Sequence, residues 1–249
     1  MANDPMKQFE IKEIFNGPQI GPFDLTFTNS SLWMVIGAVA VIGFLSLTAR
    51  GKLVPGRLQS LGELSYEFIA NMVKDTTGPE AMRFFPFVFT LFFFILFANI
   101  LGMNPYAFTT TSHLAVTVSL AVFTVVMVIV AGIWKNGFKW FKIFAPSGLP
   151  LPMYILIIPI EIISFLSRPI TLAVRLFANM TAGHVMLKLF AIFIAFLVGQ
   201  GGLMAGIAIV PIIGTLAIIA LEFLVAGLQA FVFAILTCVY LNDVYHVDH

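Results

Sequence analysis

An all-α, polytopic integral membrane protein is the fold class this sequence predicts, and three observations predict it. Of 249 residues, 60% are hydrophobic and 10% are charged, with a mean hydropathy of +1.01, a balance outside the range of water-exposed domains. From Phe84 to Trp134 there is no Asp, Glu, Lys or Arg, whereas about 20 apolar residues already let a helix cross the hydrocarbon. The apolar stretches are parted by short polar or Gly/Pro-containing joints. The chain is therefore read as a single membrane domain, 1–249, of five to six helices, one of them amphipathic and two of them long and C-terminal.

The same composition excludes other classes. A formal net charge of +1, with the basic residues dispersed into loop clusters, does not make a nucleic-acid surface. One cysteine, Cys238, permits no intrachain disulfide and offers no metal-ligand spacing. No phosphate-binding glycine loop and no nucleophile, base and orienter set is visible. Neither a cofactor, a metal nor a catalytic residue is expected of this chain alone.

In chain order, residues 1–29 are mixed in charge (Asp4, Lys7, Glu10, Lys12, Glu13, Asp24) and interrupted by Pro5, Pro18 and Pro22. They lack the basic-then-apolar order of a cleavable signal peptide, so they read as a retained polar segment outside the bilayer. A first span is expected over 32–49, entered by the capping residues Asn29, Ser30 and Ser31 and closed by Arg50-Gly51-Lys52. Basic residues at that end, with Arg57 beyond, put the N-terminus outside under the positive-inside rule.

Residues 57–75 place Leu58, Leu61, Leu64, Phe68, Ile69, Met72 and Val73 at helical spacing against Gln59, Glu63, Glu67, Asn71 and Lys74. Such a helix is too polar to span. It lies in the membrane interface, as a possible partner dock, or packs as an ordinary surface helix on its own protein. A two-span hairpin follows over 84–134, Phe84–Met103 and Leu114–Trp134, joined by an uncharged loop containing Asn104-Pro105 and a Thr-rich run to His113. His113 reads as a proton relay or as a hydrogen-bonded interfacial histidine. Lys135, Lys139 and Lys142 end the hairpin on the same side as Arg50 and Lys52, a second basic cluster that agrees with the first.

The segment 152–241 carries the chemistry. It contains only five formally charged residues: Glu161, Arg168, Arg175, Lys188 and Glu222. The first three are seven apart, and at about 3.6 residues per turn a heptad drifts by only about 20°, so they form one stripe with Asn179 a turn beyond. His184 and Lys188 follow four apart, and Thr215, Glu222 and Gln229 repeat the heptad device. Two facing polar stripes suggest a hydrated path. Polar groups in membrane helices also bond simply to neighbouring helices, Arg168 and Lys188 can snorkel to the interface, and Glu161 with Arg168 can be a structural ion pair. Arg175 is harder to dismiss. Apolar residues flank it on both sides, and a charge at the bilayer centre costs about 2.5–3.5 kcal/mol on insertion scales.

Length is a separate anomaly. Continuous helix from Pro152 to Val198 would run about 70 Å, against a hydrocarbon core of about 30 Å. Pro159, Pro169 and Gly183 permit either two shorter passes or one oblique, bent helix, and Gly199, Gly201 and Gly202 mark the clearest turn.

The run from Arg168 to His184 (RPITLAVRLFANMTAGH), with Leu228-Gln229-Ala-Phe-Val-Phe, Val239-Tyr-Leu, the amphipathic QSLGELSYEFIANMV and Ala98-Asn99-Ile-Leu-Gly-Met-Asn-Pro105, resembles subunit a of the F-type ATP synthases along most of the chain. The resemblance implies that Arg175 is the stator arginine. Asn179, Gln229, Glu161, His184 and Glu222 match polar positions along two offset proton half-channels. It also implies two oblique C-terminal helices facing a rotor ring, whose carboxylates face Arg175. Further implied partners are peripheral-stalk b-type subunits, the lipid bilayer and, indirectly, the catalytic ATPase sector; nucleic acid is not among them. In some members the acid and imidazole sit exchanged, Glu at the position of His184 and His at that of Glu222, which implies one shared pocket.

The expected location is a bacterial inner membrane, N-terminus periplasmic and C-terminus cytoplasmic, with the mitochondrial inner membrane as the alternative. A secondary transporter would be expected to show internal repeats, and no self-similarity between the halves is evident. A haem-carrying cytochrome would need placed axial pairs, and only His113 and His184 fall near membrane depth.

Overall fold

The computed structural model describes residues 10–15, 19–20, 23–24, 26–49, 51, 54–104, 107–144 and 151–245. The expected breaks at Pro5, Pro18, Pro22 and Pro105, the basic residues Arg50 and Lys52, and the side chain of Lys142 lie outside the described residues. Among the described residues, short strands β1 (Glu13–Phe15), β2 (Gln19–Ile20), β3 (Phe23–Asp24) and β4 (Phe27–Thr28) precede the helices. These are α1 (Asn29–Thr48), α2 (Arg57–Thr77), α3 (Phe85–Gly102), α4 (Leu114–Asn136), α5 (Leu151–Gln200), α6 (Gly202–Ile207) and α7 (Ile209–Tyr245). The 3₁₀ segments Pro79–Phe84, Thr110–Ser112 and Gly137–Phe144 serve as joints.

Five helical stretches among the described residues are long and apolar enough to cross a membrane: Asn29–Thr48, Pro79–Gly102, Leu114–Asn136, Pro152–Gln200 and Gly202–Tyr245. The chain is an all-α integral membrane protein. Of the alternatives for the long C-terminal segment, the structure has one 50-residue helix, α5, with Pro159 and Pro169 inside it. At 1.5 Å per residue that is about 75 Å, more than twice the hydrocarbon thickness. Each proline withholds an N–H from the preceding turn, which a 50-residue helix tolerates at two sites. Gly201 (φ 68°) and Gly202 (φ 57°) then turn the chain, consecutive left-handed positions that a side chain would strain.

By its internal contacts the chain divides into two compact units. One comprises Met1–Ala40, Ile95–His113 and Leu176–Gln229. Its N-terminal strands form two antiparallel ladders, β1 with β4 and β2 with β3, a feature the polar composition did not announce. Asn29, expected to cap α1, instead ties that helix to the strand: its Nδ2 donates to the Glu10 carbonyl at 3.1 Å and its Oδ1 accepts from the Lys12 N–H at 3.1 Å. Thr28 faces the first turn in its place, its Oγ1 3.4 Å from the Ser31 nitrogen. The unit's interior mixes Ile95, Leu176, Met180 and Ala226 with the buried polar residues Asn99, Thr109, His184, Glu222 and Gln229.

The second unit comprises Val41–Phe94, Leu114–Arg175 and Ala230–His249. Its core is apolar and combines large residues, Ile69, Val73, Val88, Val128 and Phe233, with small ones, Ala81, Ala121, Ala230 and Ala234. Thr77, the last residue of α2, donates to the Cys238 carbonyl at 3.0 Å, and Asn136 at the end of α4 donates to the Val244 carbonyl at 2.6 Å. Helix α2 carries two apolar sectors. Ile69, Ala70, Met72 and Val73 are buried, whereas Leu58, Leu61, Leu64 and Phe68 are each at least 50% exposed. It packs on its own protein along one side, as the surface-helix alternative expects, and presents a second apolar strip outward.

Gly132 on α4 is the closest approach in this unit. A Cβ there would collide with Val244 Cγ1 and sit 2.5 Å from Trp140 Cδ1. Overpacking of this kind costs about 1–3 kcal/mol, and neither neighbour is a flexible chain end. Gly132→Ala is expected to lower the thermal midpoint of the detergent-solubilised membrane complex and its yield in membranes; an unchanged midpoint would show that α4 and α7 separate freely at this point.

Candidate functional site

At membrane depth, unpaired polar groups are costly because no water compensates them, so the polar side chains of the long helices define the site. Within the first unit, α5 and α7 bring His184 and Glu222 together: His184 Nε2 is 3.7 Å from Glu222 Oε1, with side-chain exposures of 7% and 4%. A turn away, Asn179 Nδ2 donates to Gln229 Oε1 at 3.2 Å. Of the first heptad stripe, only Asn179 among the described residues meets the second, at Gln229, while Glu222 meets His184.

Gly183 explains the close approach. A Cβ there would lie 2.7 Å from Glu222 Oε1 and 3.1 Å from its carboxyl carbon, so a hydrogen side chain leaves the space that the carboxylate occupies. Both carboxylate oxygens of Glu222 and the Nε2 of Gln229 are buried and find no hydrogen-bond partner among the described residues. Two cavities adjoin this carboxylate. One, of ≈ 230 Å³, is lined by Asn179, Gly183, Met186 and Ile218 besides Glu222. The other, of ≈ 300 Å³, is lined by Met103, His184, Lys188, Thr215 and Ile219 besides Glu222. Both are roomy enough for water, and the missing partners of Glu222 and Gln229 are of the kind that water supplies.

The imidazole is held from behind by residues the sequence did not single out. Thr109 Oγ1 donates to the Gly102 carbonyl at 3.0 Å and stands 2.9 Å from His184 Nε2. With its one proton committed to Gly102, the hydroxyl is an acceptor for a ring N–H. Thr109 closes the loop after α3, where Thr110, Thr111 and Ser112 are also buried. Asn99 on α3, fully buried, donates to the Ala226 carbonyl of α7 at 3.3 Å. His113 stacks on Phe108 with ring centroids 4.8 Å apart.

In the second unit, Arg168 is the paired cation of α5. Its Nη1 donates to Asp243 Oδ2 at 2.8 Å, while Glu161 is 3.9 Å from its Nη2, so the expected ion pair with Glu161 is the longer of two. Its guanidinium also lies 4.9 Å from the Tyr240 ring centroid. Arg175 is different. It is exposed, its neighbour Val174 is 46% exposed, and it makes no hydrogen bond or ion pair among the described residues.

Residues 31–242 match the family described as ATP synthase A chain. The chain belongs to that family. Among curated relatives, a protein of Hyphomonas neptunium named ATP synthase subunit a is 59% identical over 249 residues, covering 100% of this chain and 98% of the relative. Relatives of the same name from Chelativorans sp. and Rhizobium leguminosarum bv. trifolii are 52% and 53% identical, covering 100% and 99% of this chain and 100% and 98% of the relatives. The matched range runs from within α1 into α7.

Gly183→Ala separates packing from charge placement. The atom nearest the added methyl is the far end of the flexible Glu222 side chain, so the penalty is expected to fall below the about 1–3 kcal/mol of rigid overpacking while the carboxylate swings aside. A thermal midpoint near that of the parent, against a clear drop for Gly132→Ala in the same assay, is the expected outcome; equal drops would mean that Glu222 is locked.

Proposed function

We propose that this chain is the proton-conducting stator subunit of the membrane sector of a rotary F-type ATP synthase, non-catalytic by itself. Its helices would offer two offset half-channels, one open to each side, beside a ring of rotor subunits that each carry one carboxylate at mid-membrane. The observation that carries the reading is Arg175, an exposed guanidinium without a hydrogen bond or ion pair among the described residues, on a helix apolar enough to span a bilayer. A lipid-facing charge is expensive, so such a side chain fits an acid supplied by another subunit. An adjacent cation favours the ionised carboxylate, whereas lipid favours the neutral acid. A rotor acid could then pass Arg175 only when ionised and travel the lipid face only when protonated.

The buried residues of α5 and α7 fit the loading path. The imidazole of His184 can pass a proton, Glu222 beside it can receive one, and the amides of Asn179 and Gln229 can orient water without titrating. Glu161 would belong to the other half-channel. The positive charge of Arg175 between the half-channels also opposes direct proton leak. The driving term is about 2.3 kcal/mol per charge per 100 mV, so several protons are needed for each ATP, which a ring accumulates. The membrane would be a bacterial inner membrane, with the N-terminus periplasmic and the C-terminus cytoplasmic, and peripheral-stalk b-type subunits would hold the chain against the catalytic sector.

Arginine rather than lysine follows from the same physics: guanidinium stays protonated up to about pH 12, whereas a desolvated lysine loses its proton. In inverted vesicles with assembly checked separately, Arg175→Lys and Arg175→Ala are expected to abolish ATP-driven proton pumping, and Arg175→Ala to add a passive leak. Undiminished pumping by either variant would overturn the stator role.

The pairing of His184 with Glu222 generates a second test. Either single exchange, His184→Glu or Glu222→His, places two like groups in one pocket and is expected to slow pumping more than the double exchange does. Equal loss in all three variants would mean that the pair does not act as a unit.

A further inference from the structure

Away from the polar stripes, the second unit holds a cavity of ≈ 340 Å³ lined by Glu80, Arg83, Phe84, Trp134, Lys135 and Tyr245, with Ala131 at its base. Three spanning helices terminate there: the 3₁₀ segment Pro79–Phe84 leads into α3, Lys135 is in the last turn of α4, and Tyr245 ends α7. The cavity therefore lies at the headgroup level of a bilayer rather than in its hydrocarbon, on the side of the Lys135–Lys139 cluster.

Its walls are built. Asn136 is bonded to the Val244 carbonyl at 2.6 Å, and Phe84 meets Tyr245 edge-on at 5.8 Å. Lys135 is fixed twice, by Glu80 Oε2 at 2.7 Å and by the Tyr245 ring, whose centroid is 3.8 Å from its Nζ. Glu80 thus neutralises Lys135. Arg83 lines the same cavity with no hydrogen bond or ion pair among the described residues, which leaves one uncompensated guanidinium. Trp134, 79% exposed, stands at the rim as an amphipathic ring of the type that sits among headgroups.

We propose that this cavity binds the headgroup phosphate of a bilayer phospholipid. Guanidinium offers the forked donors that a phosphodiester accepts in pairs, and Lys135 supplies a second donor already oriented by Glu80 and Tyr245. The apolar side of Trp134 and Phe84 receives the start of an acyl chain. Basic pockets between membrane helices on the positive-inside face are the general setting for such sites. A free phosphate would use the same donors but not the apolar wall, and an acidic side chain of a neighbouring subunit would leave Trp134 covered by protein.

The test uses the intact complex containing this chain, reconstituted in phosphatidylcholine vesicles with a trace of phosphatidylglycerol bearing a photoactivatable group next to its glycerol. After illumination, labelled peptides are mapped by mass spectrometry. Label is expected on residues 80–84 and 131–135, reduced at least about fivefold by the double variant Arg83→Gln with Lys135→Gln and by excess unlabelled phosphatidylglycerol, but not by diacylglycerol. Arg83→Lys with Lys135 intact is expected to keep most of the label, which distinguishes lost charge from lost fold. Labelling indifferent to the double variant would mean ordinary annular lipid and overturn the proposal. Competition by inorganic phosphate as strong as by the lipid would assign a free anion instead, and protein from a neighbouring subunit cross-linked at Trp134 would assign a protein contact.

Discussion

Desolvation is the constraint on which the rest of this structure depends. In a chain that is 60% hydrophobic, each polar group at membrane depth must find a partner inside the protein or lie where another molecule supplies one. The second unit closes several of its polar groups locally, as Thr77 does on the Cys238 carbonyl and Arg168 on Asp243, and leaves Arg175 exposed. The first unit leaves the demand partly open. Glu222 and Gln229 keep buried atoms without a hydrogen-bond partner among the described residues, beside cavities that reach the same carboxylate. A polar interior left incomplete in this way has the room and the unpartnered groups that suit bound water.

The same constraint explains why the two long helices are so little buried. Only 11% of the most apolar window in each is covered, against 33% for the Pro79–Gly102 stretch and 28% for Leu114–Asn136. Lipid can accept the apolar faces of α5 and α7, but it does not accept Arg175 cheaply. Exposed apolar surface alone would be consistent with bilayer contact, whereas an unpaired cation embedded in it is costly there.

Much of this was legible in the sequence because the signal was contrast. Arg175, Glu222 and His184 stand out against apolar runs, and heptad spacing placed Glu222 and Gln229 on one face and Asn179 one turn from Arg175; the Asn179–Gln229 contact follows that periodicity, whereas Glu161, Arg168 and Arg175 do not meet the second stripe. The supporting shell was not legible. Thr109 and Asn99 are small polar residues of a kind membrane helices also use for ordinary packing, and only the path of the loop after α3 brings Thr109 to within 2.9 Å of His184 Nε2. Asn29 shows the converse: its residue type predicted a helix cap, but a strand pairing between β1 and β4 was available and claimed its amide, leaving Thr28 beside the first turn. For α2, helical periodicity grouped all the apolar residues together, yet it carries no information on which of two adjacent apolar sectors meets the protein. The outward strip of Leu58, Leu61, Leu64 and Phe68 became visible only in the packing.

Cys238, the chain's single cysteine, is fully buried, and the carbonyl of the same residue accepts from Thr77. A thiol enclosed in this way is inaccessible to water-borne reagents and far from any partner of its own kind. The natural chain is consequently its own blank for site-directed probes: a reporter sulfur introduced anywhere on the exposed faces of α5 or α7 would be the one that reacts, without first removing the native one and disturbing the core around it.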